Sequence, residues 1–275
     1  MDPPARPSVA RAPGADASAS TIAAAAACAS RPGSGWIESS TRRQYRPGRR
    51  GSVATILNSV RLLTANLYNG RARVAALDRL LDEVGPDVFV GQEVGIDAAA
   101  ALRARFPHGQ VVGSDDYTGR ALLARFEVAV TDLPLPFRRG YRATVGLDGR
   151  PVEVLAVHIA NPIDGMRAAG HRRRQLTAIQ ELVEGLEACV VVGDLNSTPL
   201  WPFHRRLSRG LEDSIAAWAR ASGSRAPRTW GPTPGAPGLL RIDHVFCRGV
   251  EVVDHRVHRV AGSDHRAVEV ELRAP

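Results

Sequence analysis

No lysine occurs among the 275 residues, and all 36 basic side chains are arginine. We read this as genomic composition bias and not as a general affinity for nucleic acid, although arginine does suit two-pronged phosphate contacts. Cysteine is nearly as scarce. Cys28, Cys189 and Cys247 are too few and too scattered for a disulfide framework or a zinc cluster, and the last two sit in apolar runs as core residues. No apolar run is long enough to form a transmembrane helix, so no integral membrane segment is expected. The apolar fraction of 44% nevertheless suffices for a substantial core.

The formal charge of +8 is unevenly spread. Residues 1–52 hold eight arginines against Asp2, Asp16 and Glu38, a surplus of five that leaves only +3 for the rest. This segment is rich in Ala, Pro, Ser, Gly and Arg without an amphipathic period, so residues 1–56 are predicted to be a disordered low-complexity tail. Its "TIAAAAACAS" stretch resembles a weak signal-peptide or lipoprotein core ending near Cys28, but it lacks a compact basic start. A translation start nearer Val53 is a third reading. Tail or start-site artefact ranks above export, which places the protein in the cytoplasm, with export through the alanine-rich segment as the alternative.

From Val60 onward strands and helices alternate. "VRLLTANLYNG" reads as a buried strand, "RARVAALDRLLDEVG" as a helix stopped by Gly85 and Pro86, "DVFVGQEV" as a strand and "IDAAAALRARF" as a helix. "ALLARF", "FEVAVTDL", "YRATVGL" and "VEVLAVHIANP" read as a meander, with Asp148-Gly149 as its sharpest turn. "MRAAGHRRRQLTAIQELVEGL" is a long helix, "CVVVGDLN" a buried strand and "PLWPFHRRLSRG" a helix beginning near Pro199, which Ser197 or Thr198 would cap. "LLRIDHVFCRG", "VEVVDHRVHRV" and "HRAVEVELR" close the chain as strands. Two halves, each mixing strands with outer helices, predict one α+β domain over residues 57–275, a β-sandwich flanked by helices.

Apolar strands repeatedly end in a polar residue: Asn66, Glu93, His158, Asp194 with Asn196, and Asp243 with His244, while Asp264 and His265 precede the last strand. Taken singly, each has a plain explanation. Asn66 can be a turn former, Glu93 an exposed strand end, His158 a core histidine, and Asp194 part of a helix cap. An unpaired aspartate within a strand, as at Asp243, is harder to dismiss. Strands that share one end of a sandwich bring all of these groups to one cleft.

The blocks "TANLYNG", "GQEV", "VHIANP", "GDLNSTP", "RIDHVF" and "GSDHRAV" resemble, in sequence and succession, the signatures of the endonuclease/exonuclease/phosphatase superfamily, over roughly residues 60–273. That superfamily includes pancreatic deoxyribonuclease, abasic-site endonucleases, sphingomyelinases and inositol polyphosphate phosphatases. The resemblance implies a four-layer α/β/β/α sandwich, two mixed β-sheets packed face to face between helices. It also implies divalent-metal-dependent hydrolysis of phosphate esters by in-line attack of water, with Mg²⁺ as cofactor and Mn²⁺ as substitute. Glu93 would hold the metal with Asn66 beside it, and Asp264 would approach it or a second cation. Asp194 would orient or deprotonate the water. Asn196 would donate to the phosphate. His265 would contact the phosphate or act as base, oriented by Asp243. His158 would serve the leaving group, and Asn161 matches a phosphate-contacting asparagine. His244 reads as structural. Tyr68 stands where abasic-site endonucleases carry aspartate, which points away from that branch.

The layout of the blocks is similar to the generic bacterial members, and the span from Ser114 to Tyr141 is short for a DNA-gripping loop. A DNA or RNA nuclease is the alternative function, since Arg138, Arg139, Arg142 or "HRRRQ" at 171–175 could contact backbone phosphates. "HRRRQ" is otherwise a solvated helix face. Trp201 and Trp230 read as loop anchors, or as the rim of a pocket. A phosphate-binding module without catalysis is the second alternative, although none of its expected losses among Glu93, His158, Asp194, Asp243 and His265 occurs. The substrate is expected to be a small molecule or a nucleic acid, and the protein a monomer.

Overall fold

Alternation along the strands sorts their side chains into three interiors. Leu62, Val88, Val90, Val154, Val190, Val192, Val245 and Val270 face one buried cluster, while their neighbours in sequence face another. Leu63 and Phe89 meet Leu77, Leu81 and Leu102 of two helices, and Leu155, Val157 and Val191 meet Leu176, Ile179 and Val183 of a third. Strands buried on both faces read as continuous apolar runs, which explains "VVVGD" and "VFVGQ". The physical consequence is a stack of helix, sheet, sheet and helix.

The computed structural model describes residues 57–163 and 165–275, so the predicted tail lies outside the described residues. The elements run β1 Ser59–Asn66, α1 Val74–Val84, β2 Val88–Gln92, α2 Ile96–Arg105, β3 His108–Val112, β4 Arg120–Ala124, β5 Val130–Leu133, β6 Gly140–Leu147 and β7 Arg150–His158. There follow α3 Met166–Glu184, β8 Cys189–Asp194, α4 Pro202–Leu207, β9 Glu212–Asp213, α5 Ser214–Ala221, β10 Asp243–Arg248, β11 Glu251–Arg259 and β12 Arg266–Arg273. The strands form two six-stranded sheets, ordered β11-β12-β1-β2-β4-β3 and β5-β6-β7-β8-β10-β9. Each is mixed: β1 and β2 run parallel in the first, β7 and β8 in the second, and the remaining pairs are antiparallel. The expected sandwich is therefore what forms. No helix among the described residues is long and apolar enough to cross a membrane.

Local signals set the element ends. α1 buries Leu77, Leu80, Leu81 and Val84 on one stripe and stops at Gly85, whose left-handed backbone returns its N–H to the Leu81 carbonyl. Asp148 and Gly149 both take positive φ, 50° and 74°, as a tight β6–β7 hairpin requires. Three expectations need correction. α4 begins at Pro202 after Trp201, so Ser197 and Thr198 do not cap it. "FEVAVTDL" is a strand only over Val130–Leu133. "LLRIDHVFCRG" is a strand only over Asp243–Arg248, so Asp243 opens β10 and does not end a strand. β3, β9 and α5 carry no sequence signal, since "HGQVV" is a short edge strand without alternation, β9 spans two residues and α5 only eight.

One core residue carries a pH liability. His255 on β11 is 4% exposed, its Nε2 has no hydrogen-bond partner, and burial followed by the nearby Arg241 charge pushes its pKa down to about 4. The folded protein thus keeps the ring neutral while the unfolded chain takes up a proton below about pH 6.5. Stability from this source is intact above that pH and falls by about 3 kcal/mol as the pH drops to 4. Urea unfolding at pH 7 and pH 4 should show wild type losing about that much more than His255→Phe; equal losses would remove His255 as the cause.

Candidate active site

Pairing register explains why the polar strand ends meet. His158, Asp194 and Asp243 lie side by side in one row across β7, β8 and β10. In the facing sheet, Asn66 pairs with Gln92, and Glu93 follows immediately. His265 arrives from the turn before β12, antiparallel to β1. Of these, Glu93, Asp194 and His265 line a pocket of about 600 Å³ together with Asp264, Asn196, Asn161, Tyr68, Arg138 and Trp230, a volume suited to a small ligand or the end of a larger one. Asn66, His158 and Asp243 lie behind its wall, in contact with those that line it.

Behind the pocket wall, Asn66, 1% exposed, ties the two sheets together. Its Nδ2 donates to Glu93 Oε1 at 3.2 Å and to Asp194 Oδ2 at 3.0 Å, and its Oδ1 accepts the Tyr68 N–H at 2.9 Å. Glu93 also accepts the Asn69 N–H at 2.8 Å through Oε2. Asp194, 1% exposed, accepts the Asn196 backbone N–H at 2.8 Å and side-chain N–H at 3.1 Å. Burial works against its charge, but His158 and His265 outweigh it and hold the carboxyl well below the usual range. His158 Nε2 lies 3.5 Å from both Glu93 Oε1 and Asp194 Oδ2 and touches the Arg138 guanidinium.

The His265 ring is set by Asp243, whose two carboxylate oxygens lie 3.1 and 3.0 Å from Nδ1. Burial disfavours its charge, yet Asp243, Asp194 and Asp264 together raise its pKa to about 10. These carboxylates favour the protonated ring, in which Nδ1 donates to Asp243. On the other wall Trp230 Nε1 donates to Asp264 Oδ2 at 3.0 Å, while Asp264 Oδ1 is buried without a hydrogen-bond partner and burial pushes this carboxyl up. Trp230 thus anchors a loop and lines the pocket at once.

Backbone strain concentrates here. Among the described residues six non-glycines take positive φ, and five of them (Tyr68, Asn69, Glu93, Phe137 and Asn196) line this pocket. Such conformations cost of order 1 kcal/mol or more each and mark places where orientation outranks stability. Gly193 serves the same end: at φ 135°, a Cβ there would sit 2.1 Å from the Val157 carbonyl oxygen. Only glycine lets β8 close on β7 while presenting Asp194.

Asn196, expected to donate to phosphate, lines the pocket with its two amide hydrogens on the Ile159 carbonyl at 3.0 Å and on Asp194 Oδ2 at 3.1 Å, so phosphate contact would require exchanging one. "HRRRQ" is not simply a solvated face. Arg172 and Gln175 are buried, and they hold the Ala160 carbonyl at 2.5 Å and the Ala160 N–H at 3.0 Å, fixing the chain just beyond His158. Asn161 lines the pocket with its oxygen on the Ile163 N–H at 3.2 Å. Arg138, named only as one of several arginines that could meet backbone phosphates, is buried with its guanidinium 4.6 Å from the Tyr117 ring centre; its place beside His158 had no sequence signal.

A second polar cluster lies elsewhere. Asp213 pairs with His204 at 2.7 Å and Arg241 at 2.8 Å, and His244 donates to the Ser197 carbonyl at 2.8 Å while its Nδ1 faces Arg241 at 3.2 Å. Every member is engaged by a neighbour, and burial lowers the His244 pKa. Through the Ser197 carbonyl, His244 secures the loop carrying Asn196.

No curated protein sequence matches the chain, but solved structures do. An endonuclease/exonuclease/phosphatase from Beutenbergia cavernae DSM 12333 superposes with a TM-score of 0.62 at 21% identity, over 79% of this chain and 72% of that one. A humanized D. rerio TDP2 gives 0.63 at 18% identity, over 79% and 100%. The 3′ phosphatase NExo from Neisseria, bound to a product DNA hairpin, gives 0.59 at 22%, over 77% and 98%. At these identities the likeness establishes the fold alone. Residues 63–265, however, match the sequence pattern of the endonuclease/exonuclease/phosphatase family, and the chain belongs to that family.

Proposed function

We propose that the chain hydrolyses phosphate esters with the help of a divalent cation. The observation that carries this is the donor set: Glu93, Asp194 and Asp264 line one pocket, and Asp264 keeps a buried oxygen without a partner. Oxygen donors of this kind fit Mg²⁺ or Mn²⁺, and the lack of cysteine in the set disfavours zinc. Glu93 and Asp264 would hold the cation, with Asn66 bracing Glu93 against Asp194. When bound, such a cation neutralises charge on phosphoryl oxygens.

The chain's own groups supply the rest. Asp194, held ionised among donors, accepts an O–H of the attacking water and orients it in line with the phosphorus. The His265 cation, locked by Asp243, binds a phosphoryl oxygen. His158 and Arg138 stand together where negative charge develops on the leaving oxygen. The new oxygen–phosphorus bond forms as the ester bond breaks, the water's proton passing to Asp194 and a proton from the His158 imidazole going to the leaving oxygen. Nucleic acid as substrate is the second reading, favoured by exposed arginines on α3 and α4.

The test compares wild type with His265→Ala on bis(4-nitrophenyl) phosphate, 4-nitrophenyl phosphate and plasmid DNA in Mg²⁺. We expect chelator-sensitive hydrolysis that falls by about 10²-fold or more in the variant. The preferred ester then separates monoester from diester and small molecule from nucleic acid. Folded, metal-supplied protein inert toward all three would overturn the proposal in favour of a binding module.

A further inference from the structure

The catalytic pocket does not end at its own wall. A groove of about 310 Å³ adjoins it, and Pro162 and Trp201 line both. Beyond them the groove runs between Ala169 and Leu176 of α3 and Pro202 and Phe203 of α4. Among the described residues no amide, hydroxyl or carboxylate side chain lines it; the polar side-chain groups are the guanidiniums of Arg172, Arg173 and Arg206 and the indole N–H of Trp201. Arg172 is committed to the Ala160 carbonyl and lies 5.2 Å from the Phe203 ring centre, while Arg173 and Arg206 are exposed at the rim. Ile163, which lines the pocket beside Pro162, and Leu200, which precedes Trp201 in the chain, are 83% and 84% exposed, the most exposed large apolar side chains among the described residues.

A nucleobase or sugar in such a groove would meet N–H donors but, among the described residues, no acceptor side chain for its own donors, at a cost per unmatched group comparable to a lost hydrogen bond. An apolar chain would lose nothing, and the arginine stems would cover it while their heads stay in water. We infer that pocket and groove form one cleft for an amphiphilic phosphate ester, its phosphate beside Asp194 and a straight apolar chain passing Trp201 into the groove between α3 and α4. This rests on the hydrolase reading above and narrows its substrate class.

The experiment uses alkyl 4-nitrophenyl phosphates from ethyl to decyl, and the corresponding alkyl phosphate monoesters, kept below their micelle-forming concentrations. In wild type kcat/KM rises about fourfold per added methylene until the groove is filled, the worth of burying one CH₂. Ala169→Glu, a change at an exposed helix position, flattens that slope. A series flat from ethyl to decyl in wild type, or preferential cleavage of a single-stranded oligonucleotide, would overturn the inference and leave the hydrolase reading standing. No hydrolysis of any ester, ethyl included, would sink that reading instead. Calorimetric titration then decides the cleft alone: decyl phosphate binding at least about tenfold tighter than inorganic phosphate sustains it, and equal binding overturns it.

Discussion

Replacing Asp194 with asparagine should lower kcat by about 10³-fold or more while the protein stays folded. The side chain is 1% exposed at the end of β8, gathers N–H donors from Asn66 and Asn196, and lies 3.5 Å from His158 and 3.9 Å from His265. Asparagine preserves shape but turns one acceptor into a donor that faces other donors, so it can neither align the water nor take part in moving its proton. Losses of about 10²–10⁴ are usual for a positioned acid or base, and here the same atom also balances two imidazoles. Near-native far-ultraviolet dichroism together with the rate loss would support the assignment. A variant within threefold of wild type would remove Asp194 from the chemistry.

The largest stability effect is expected away from the pocket, at Asp213. One carboxylate caps α5 through the Ala216 N–H at 3.1 Å and also neutralises Arg241, while its other oxygen takes His204 at 2.7 Å. Burial opposes its charge, yet His204, His244 and Arg241 hold it far below the usual carboxyl range. Asp213→Ala strands a buried guanidinium and two histidines, a change that typically costs about 3–5 kcal/mol, and it removes a helix cap worth about 1 kcal/mol more. For a chain of this size the melting temperature should fall by roughly 10 °C. Because Arg241 precedes Ile242-Asp243 and His244 grips the Ser197 carbonyl, activity should fall too. Melting within 2 °C of wild type would show the network to be dispensable.

Much of this was legible because the site is built from strand ends. A doubly buried strand shows as an apolar run, and the first polar residue after it must lie at the sheet's edge. Asn66, Glu93, His158 and Asp194 stand out in this way; Asp243 opens β10 instead of ending a strand, and antiparallel pairing with β8 sets it beside Asp194 in the row that parallel pairing extends to His158. Groups whose position depends on tertiary packing were not legible. Nothing local tells that Arg172 and Gln175 turn inward while Arg173 and Arg174 turn out, since the helix repeat fixes a face and not what lies beneath it. Arg138 sits on a loop, where no periodicity applies. The fate of the Asn196 amide depends on the Ile159 carbonyl, 37 residues away in sequence.

Initial rates of bis(4-nitrophenyl) phosphate hydrolysis in three matched arms test the central claim most directly: wild type with Mg²⁺, wild type stripped by chelator, and Glu93→Gln with Mg²⁺. We expect turnover in the first arm alone, restored to the second by added Mg²⁺ and restored to the third only at much higher concentrations. Equal rates with and without chelator, or a Glu93→Gln variant with wild-type Mg²⁺ dependence, would contradict a metal-assisted centre at this pocket.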